Sequence, residues 1–139
     1  MSLARSGAIH RELSPVGIAP PAANYAHAVL SESVSRMVHT SGIVPTRPDG
    51  SVPDGIGDQA AVVWETIAAL LESADMTSAD IVSVTTYVVA DLVGTDALSL
   101  VMAARDRALG EHKAASTLVT VPALAQPSWK MEIAVIATA

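Results

Sequence analysis

The sequence lacks cysteine and phenylalanine altogether and has few aromatic residues of any kind. Because no thiol is present, the chain can form no disulfide, no cysteine nucleophile and no cysteine-ligated metal site. This favours a reducing compartment, and we expect a cytoplasmic protein. Hydrophobic residues still make up 50% of the chain, so aliphatic side chains must fill the core. The length of 139 residues predicts a single domain over 1–139 with its core at 8–137.

Basic residues are also scarce. Eight lysines and arginines against fourteen acidic residues give a formal net charge of −6, and they form no basic run. This disfavours a nucleic-acid-binding groove. No apolar run reaches the ~18 residues that a membrane span needs, and the N-terminus lacks the apolar stretch of a signal peptide. We therefore expect neither a nucleic acid nor a membrane as a partner.

Motifs for metals, phosphates and nucleophilic serines are missing as well. The four histidines His10, His27, His39 and His112 lie on separate predicted elements, without the spacing of a metal-binding pair. Neither a glycine-rich phosphate loop nor a GxSxG nucleophile elbow occurs. We therefore predict no metal site and no cofactor.

Two segments have the apolar periodicity of helices. The first is predicted to begin with Asp58 as its N-cap and to end just before Asp75, because aspartate tolerates the left-handed backbone that often ends a helix. The second is predicted over 96–109, with Thr95 as a candidate cap and Gly110 as the stop.

Six other segments are predicted as strands from β-branched residues and alternating patterns. They are residues 8–13, 25–30, 36–43, 81–90, 116–121 and 129–137. The order βββαβαββ predicts an α+β fold with two helices on one face of a six-stranded mixed sheet. We expect a hairpin at Ser31–Ser35 between the second and third strands. Several strands are apolar on both sides, so the uncovered face of the sheet predicts a homo-oligomer.

One carboxylate stands out, because Glu132 lies inside the apolar last strand. Such a placement costs free energy unless the group is paired or hydrogen-bonded. Glu132 could form a salt bridge with Lys130 on the same face. It could also lie in a cleft, where it acts as acid or base or holds a water. Tyr25 is either a packing residue or a pocket wall. Ser41 either ends a strand or lends its backbone to a ligand.

Several stretches together resemble the Rid family, the reactive intermediate deaminases also called YjgF. They are "ANYAHAV" (23–29), "HTSGIVP" (39–45), the segment 55–91 and "ASTLVTVPALAQPSWKMEIAVIA" (115–137). The resemblance implies a chorismate-mutase-like fold and a homotrimer packed through the open sheet faces. It also implies clefts between subunits that bind a small-molecule metabolite without a metal or an organic cofactor. The deaminating members hydrolyse enamines and imines, such as 2-aminoacrylate, to keto acids and ammonia.

The resemblance implies Glu132 as the catalytic residue, associated with a hydrolytic water, and Tyr25, Ser41, Gly42 and Ser116 as substrate-binding residues. The deaminases carry an arginine at the position of Ser116, where it clamps the substrate carboxylate. A serine cannot make that charged bidentate contact. The departure therefore disfavours deamination of 2-aminoacrylate-type acids.

Lys113 and Arg105 are the two cations that could replace the arginine, and the sequence places neither in the cleft. Asp75 is a second departure, since the family usually has glycine there. We expect a metabolite-binding trimer that hydrolyses an enamine, imine or related C–N bond. A non-catalytic ligand-binding or regulatory trimer is the alternative. A ribonuclease, a name also attached to the family, is disfavoured by the acidic charge.

Overall fold

The computed structural model describes residues 7–139, so residues 1–6 of the predicted domain lie outside the described residues. Six strands and two α-helices follow in the predicted order. The strands are β1 (Ile9–Glu12), β2 (Val29–Glu32), β3 (Met37–His39), β4 (Ile81–Val89), β5 (Ala115–Val121) and β6 (Met131–Thr138), and the helices are α1 (Ile56–Glu72) and α2 (Ala97–Leu109). The predicted α+β class, with a mixed sheet and two helices, is confirmed.

The strands are divided between two sheets. β3, β6, β4 and β5 lie in that order in a four-stranded sheet, where β4 and β5 are parallel and the other neighbours are antiparallel. β1 and β2 form a separate antiparallel ribbon. The single six-stranded sheet is therefore split, and the hairpin predicted at Ser31–Ser35 is wrong. The chain does turn at Ser33, where φ is 57°, but β2 pairs with β1 and β3 with β6.

The pairing of β3 is decided by the far end of the chain. The amides of Ser35 and Arg36 both donate to the carbonyl of Ala139 at 2.9 Å, and the amide of Ala139 donates back to Arg36. The ribbon is joined to the larger sheet by a hydrogen bond from His10 Nε2 to the carbonyl of Thr138, at 3.2 Å. These partners are distant in sequence, so the local turn at Ser33 could not reveal them.

The helix ends follow local chemistry, with one correction. α1 begins at Ile56 after Gly55, two residues before the predicted Asp58 cap, which lies in the first turn where a carboxylate suits the helix dipole. At its end, Asp75 has φ 55°. Its amide donates to Glu72 at 3.0 Å, and the next amide donates to Leu71 at 2.9 Å. This is the Schellman pattern that the left-handed aspartate predicts.

The start and end predicted for α2 are also confirmed. The hydroxyl oxygen of Thr95 accepts from the amide of Ala97 at 3.1 Å, so it satisfies one donor of the first turn. Gly110 ends the helix with φ 62°. Within residues 7–139, no helix is long and apolar enough to cross a membrane.

The sheet has one face under the helices and one open face. In β6, Met131, Ile133 and Val135 are at most 2% exposed and belong to the core cluster, which includes residues of both helices. The residues between them, including Glu132, are only half-buried. The alternation therefore places Glu132 on the open face, away from the core.

Gln59 is a fully buried polar residue in the first turns of α1. Its Nε2 donates to the carbonyl of Pro53 at 2.8 Å and to that of Ser128 at 2.9 Å. Its Oε1 accepts from the amide of Lys130 at 2.9 Å. One side chain thus joins the loop before α1 to the loop before β6.

We predict that Gln59→Leu, which nearly preserves the volume, lowers the free energy of unfolding by about 3 kcal/mol. Two buried carbonyls and an amide then lose their partner, and each such loss costs roughly 1–3 kcal/mol. Urea denaturation measures the change. Thr66→Val is the matched control, because it removes a bond within the same helix, from the Thr66 hydroxyl to Val62. An equal effect of the two variants would contradict the role of Gln59.

Candidate functional site

The chain after β3 contains an extra residue opposite β6. His39 is paired with Ile136 and Ile43 with Ile133, so four steps on one side face three on the other. The amide of Val135 donates to the side-chain oxygen of Thr40, at 3.0 Å, where a regular ladder would use the backbone. This is a β-bulge at residues 41–42, a feature that often re-aims groups beside functional sites.

The bulge brings Gly42 against Glu132. A Cβ added to Gly42 would overlap Glu132 Oε1 and lie 2.9 Å from its Cδ. Only a residue without a side chain therefore leaves the carboxylate in its present position. The structure thus brings together two of the predicted site residues, with Ser41 as the neighbouring bulge residue.

The carboxylate of Glu132 has no hydrogen-bond or ion-pair partner between residues 7 and 139. Lys130, the candidate partner on the same face, donates instead to the carbonyl of Asp54 at 2.5 Å. Glu132 lies opposite Tyr87 of β4 on the open face. The alternative of an intrachain Lys130–Glu132 salt bridge is therefore wrong.

Tyr25 lies at the other end of the sheet. The amide of the next residue, Ala26, donates to the carbonyl of Ala114 at 3.0 Å, just before β5. Tyr25 and Lys113 both line a cavity of about 380 Å³ under the proline-rich loop, together with the opposite charge of Glu12. Lys113 thus lies near Tyr25, at the start of β5.

Ser116 contacts the second cation that sequence reasoning had left open. Arg105 Nη1 of α2 donates to Ser116 Oγ at 3.2 Å. Its Nη2 and Nε donate to Asp106 Oδ1 at 3.0 and 3.2 Å. Arg105 is only 6% exposed. The sequence held a signal for this burial, because Arg105 follows Val101 and precedes Leu109 by four residues each, on one side of the helix.

The predicted site residues form two separate groups within one chain. Ser116 is paired with Val84 and Glu132 with Tyr87, so they project from opposite faces of the sheet. Three residues along β4 and two strand spacings separate them, which amounts to about 14 Å. The first group is Tyr25 and Ser116, and the second is Ser41, Gly42 and Glu132.

The largest cavity, about 750 Å³, lies between α1 and α2 and contains neither group. Alanine and aliphatic side chains form much of its lining, and the carboxylates of Glu65 and Glu72 and the guanidinium of Arg107 also contribute. We favour the two groups over this groove as the functional site because they carry the bulge, the unpaired carboxylate and the buried arginine.

Comparison with known proteins agrees with this architecture. A family model described as endoribonuclease L-PSP matches residues 17–139. A RutC family protein of Haemophilus influenzae is 40% identical over 81 residues, which cover 58% of this chain and 57% of that protein. The chain therefore spans little more than half of that relative.

Two solved structures are similar over nearly the whole chain. The Rid family protein YyfB of Yersinia pestis, a protein of unknown function, has a TM-score of 0.82 at 26% identity and covers 94% of this chain and 98% of its own. The YjgF gene product of E. coli has a TM-score of 0.66 at 27% identity and covers 91% and 92%.

We predict that Gly42→Ala lowers the free energy of unfolding by about 1 kcal/mol, because the added methyl displaces the carboxylate of Glu132. In a Glu132→Ala background, the same substitution should cost almost nothing, and thermal denaturation of the four proteins gives the coupling. Gly57→Ala, where an added Cβ meets only Leu100 Cδ1 at 4.0 Å, is the control and should stabilise α1 by about 0.5–1 kcal/mol. Additive effects at 42 and 132 would refute the contact.

Proposed function

Because the chain belongs to the endoribonuclease L-PSP family, which includes the Rid and YjgF proteins, we propose that it hydrolyses a carbon–nitrogen bond of a small metabolite. The bond is an enamine, an imine or a related group, and the cleft lies between copies of the chain. The observation that carries the proposal is the Glu132 carboxylate on the open face, held against Gly42 and unpaired within residues 7–139.

The chemistry needs one base and one water. The carboxylate of Glu132 takes a proton from water as the water oxygen bonds to the carbon of a protonated imine, and the electrons of the C=N bond move to nitrogen. Return of the proton to nitrogen lets ammonia leave as the C=O bond forms. An enamine enters the same sequence after protonation at carbon. The sum is imine plus water to carbonyl compound plus ammonia.

The bulge supports this role through its backbone. No described residue accepts a hydrogen bond from the amide of Ser41 or Gly42, and both amides lie beside the carboxylate. Backbone donors next to a base are suited to hold a water or the developing oxyanion. The net charge of −6 counts against a polyanion such as RNA as the substrate.

The proposed assembly is a homotrimer packed through the open sheet faces. The open face carries apolar groups such as Ile136, and Val119 is 40% exposed, so burial between copies would remove apolar surface from water. In this arrangement, the Tyr25–Ser116 group of one copy meets the Glu132 group of the next. The cleft is then complete only between subunits.

We predict that Glu132→Gln reduces hydrolysis of 2-iminobutanoate at least about a hundredfold, which is the typical contribution of a general base. The amide preserves the shape but cannot accept the proton. Steady-state ammonia release measures the loss, and Glu65→Gln on the exposed side of α1 is the control with unchanged activity. Full activity of the 132 variant would disprove the mechanism. Saturable binding without turnover by the wild type would favour a ligand-binding trimer.

A mixing experiment tests the location of the site. Tyr25→Phe and Glu132→Gln should each be weakly active alone. When equal amounts are unfolded and refolded together, about a quarter of the sites in mixed trimers combine both native residues from different copies. Activity should therefore recover to about a quarter of the wild-type value. No recovery, in a sample whose mixed trimers are shown by native mass spectrometry, would mean that each site uses one chain.

A further inference from the structure

The hydrogen bond between Arg105 and Ser116 fixes the direction of the serine hydroxyl. A guanidinium has donors and no acceptor, so Ser116 Oγ must accept from Arg105 Nη1. The hydroxyl hydrogen of Ser116 is then free to point to another acceptor. Between residues 7 and 139 it has none, and Ser116 is half-buried. The pair therefore presents a hydrogen-bond donor that lacks a protein acceptor.

The charge behind this donor is held in place. Arg105 is 6% exposed, and Asp106, whose side chain is 40% exposed, binds its guanidinium from one side. Buried charges are costly unless paired, so the guanidinium cannot turn away to solvent without losing this partner. A fixed cation polarises the Ser116 hydroxyl and strengthens its bond to a negative oxygen. The half-exposed Asp106 offsets part of that charge.

The position of the pair also suits a ligand. Ser116 is in β5, at the edge of the four-stranded sheet. The bridge between Ala26 and Ala115 brings Tyr25 beside the same end of the strand. A phenol and a polarised hydroxyl therefore lie close to one another. Lys113, in contrast, lines its cavity together with the opposing carboxylate of Glu12.

We propose that the Ser116 hydroxyl, positioned and polarised by Arg105, binds an anionic oxygen of the ligand, so that the metabolite carries a carboxylate. The inference rests on the proposed function for the cleft and adds the charge class of its ligand. Arg105 acts as a positioning residue through Ser116. The chain thus supplies from α2 a charge that the Rid deaminases supply from the strand position itself.

The test compares two probes of the same shape, 2-oxobutanoate and its neutral carboxamide, by titration calorimetry. The wild type should bind the carboxylate about tenfold more tightly, which is the effect of about 1.4 kcal/mol. Arg105→Met should abolish that preference while affinity for the carboxamide stays unchanged. Arg105→Lys retains a cation and should recover part of the preference. Ser116→Ala should weaken binding of the carboxylate about tenfold.

Two results would overturn the proposal. One is equal affinity of the wild type for both probes, or no binding of either. The other is unchanged carboxylate affinity in Ser116→Ala. If the Arg105 variants do not fold, salt decides: binding of the carboxylate by the wild type must weaken with ionic strength, and that of the carboxamide must not. Glu132→Gln should keep the preference, so failed hydrolysis and failed carboxylate recognition are separate outcomes.

Discussion

The buried amide of Gln59 is the constraint on which the placement of the last strand depends. It binds the carbonyls of Pro53 and Ser128 and the amide of Lys130, two residues before Glu132. A shift of this segment by one residue would break a buried bond. It would also turn Glu132 to the core, because alternate residues of a strand point to opposite faces. A single side chain of α1 thereby keeps the carboxylate on the open face.

The bulge after β3 complements this constraint from the neighbouring strand. The side chain of Thr40 replaces the backbone acceptor for Val135, so one residue can be inserted without an unpaired buried amide. The insertion returns Ile43 to the core face opposite Ile133. It also places Gly42, the residue without a side chain, beside the carboxylate. A polar site can therefore exist on a strand that is otherwise apolar.

The parts of the fold that depend on near neighbours were predictable from the sequence. Asp75 and Thr95 act on amides at most two residues away or through their own backbone angles, and the prediction of each is confirmed. The hairpin at Ser31–Ser35 was wrong because β6, from the far end of the chain, pairs with β3. The partners of Gln59 were missed for the same reason: they are loop backbone groups that only the folded chain brings together.

The candidate site was predictable as a set of residues but not as a geometry. Glu132 drew notice because a carboxylate interrupts an apolar strand, and Arg105 interrupts an apolar helix stripe in the same way. The opposite faces of Glu132 and Ser116 follow only from the pairing of β4 with both neighbours. Because the sheet itself separates the two groups, one chain cannot unite them. In the proposed ring, each open face meets the next copy, so every interface receives one group from each side.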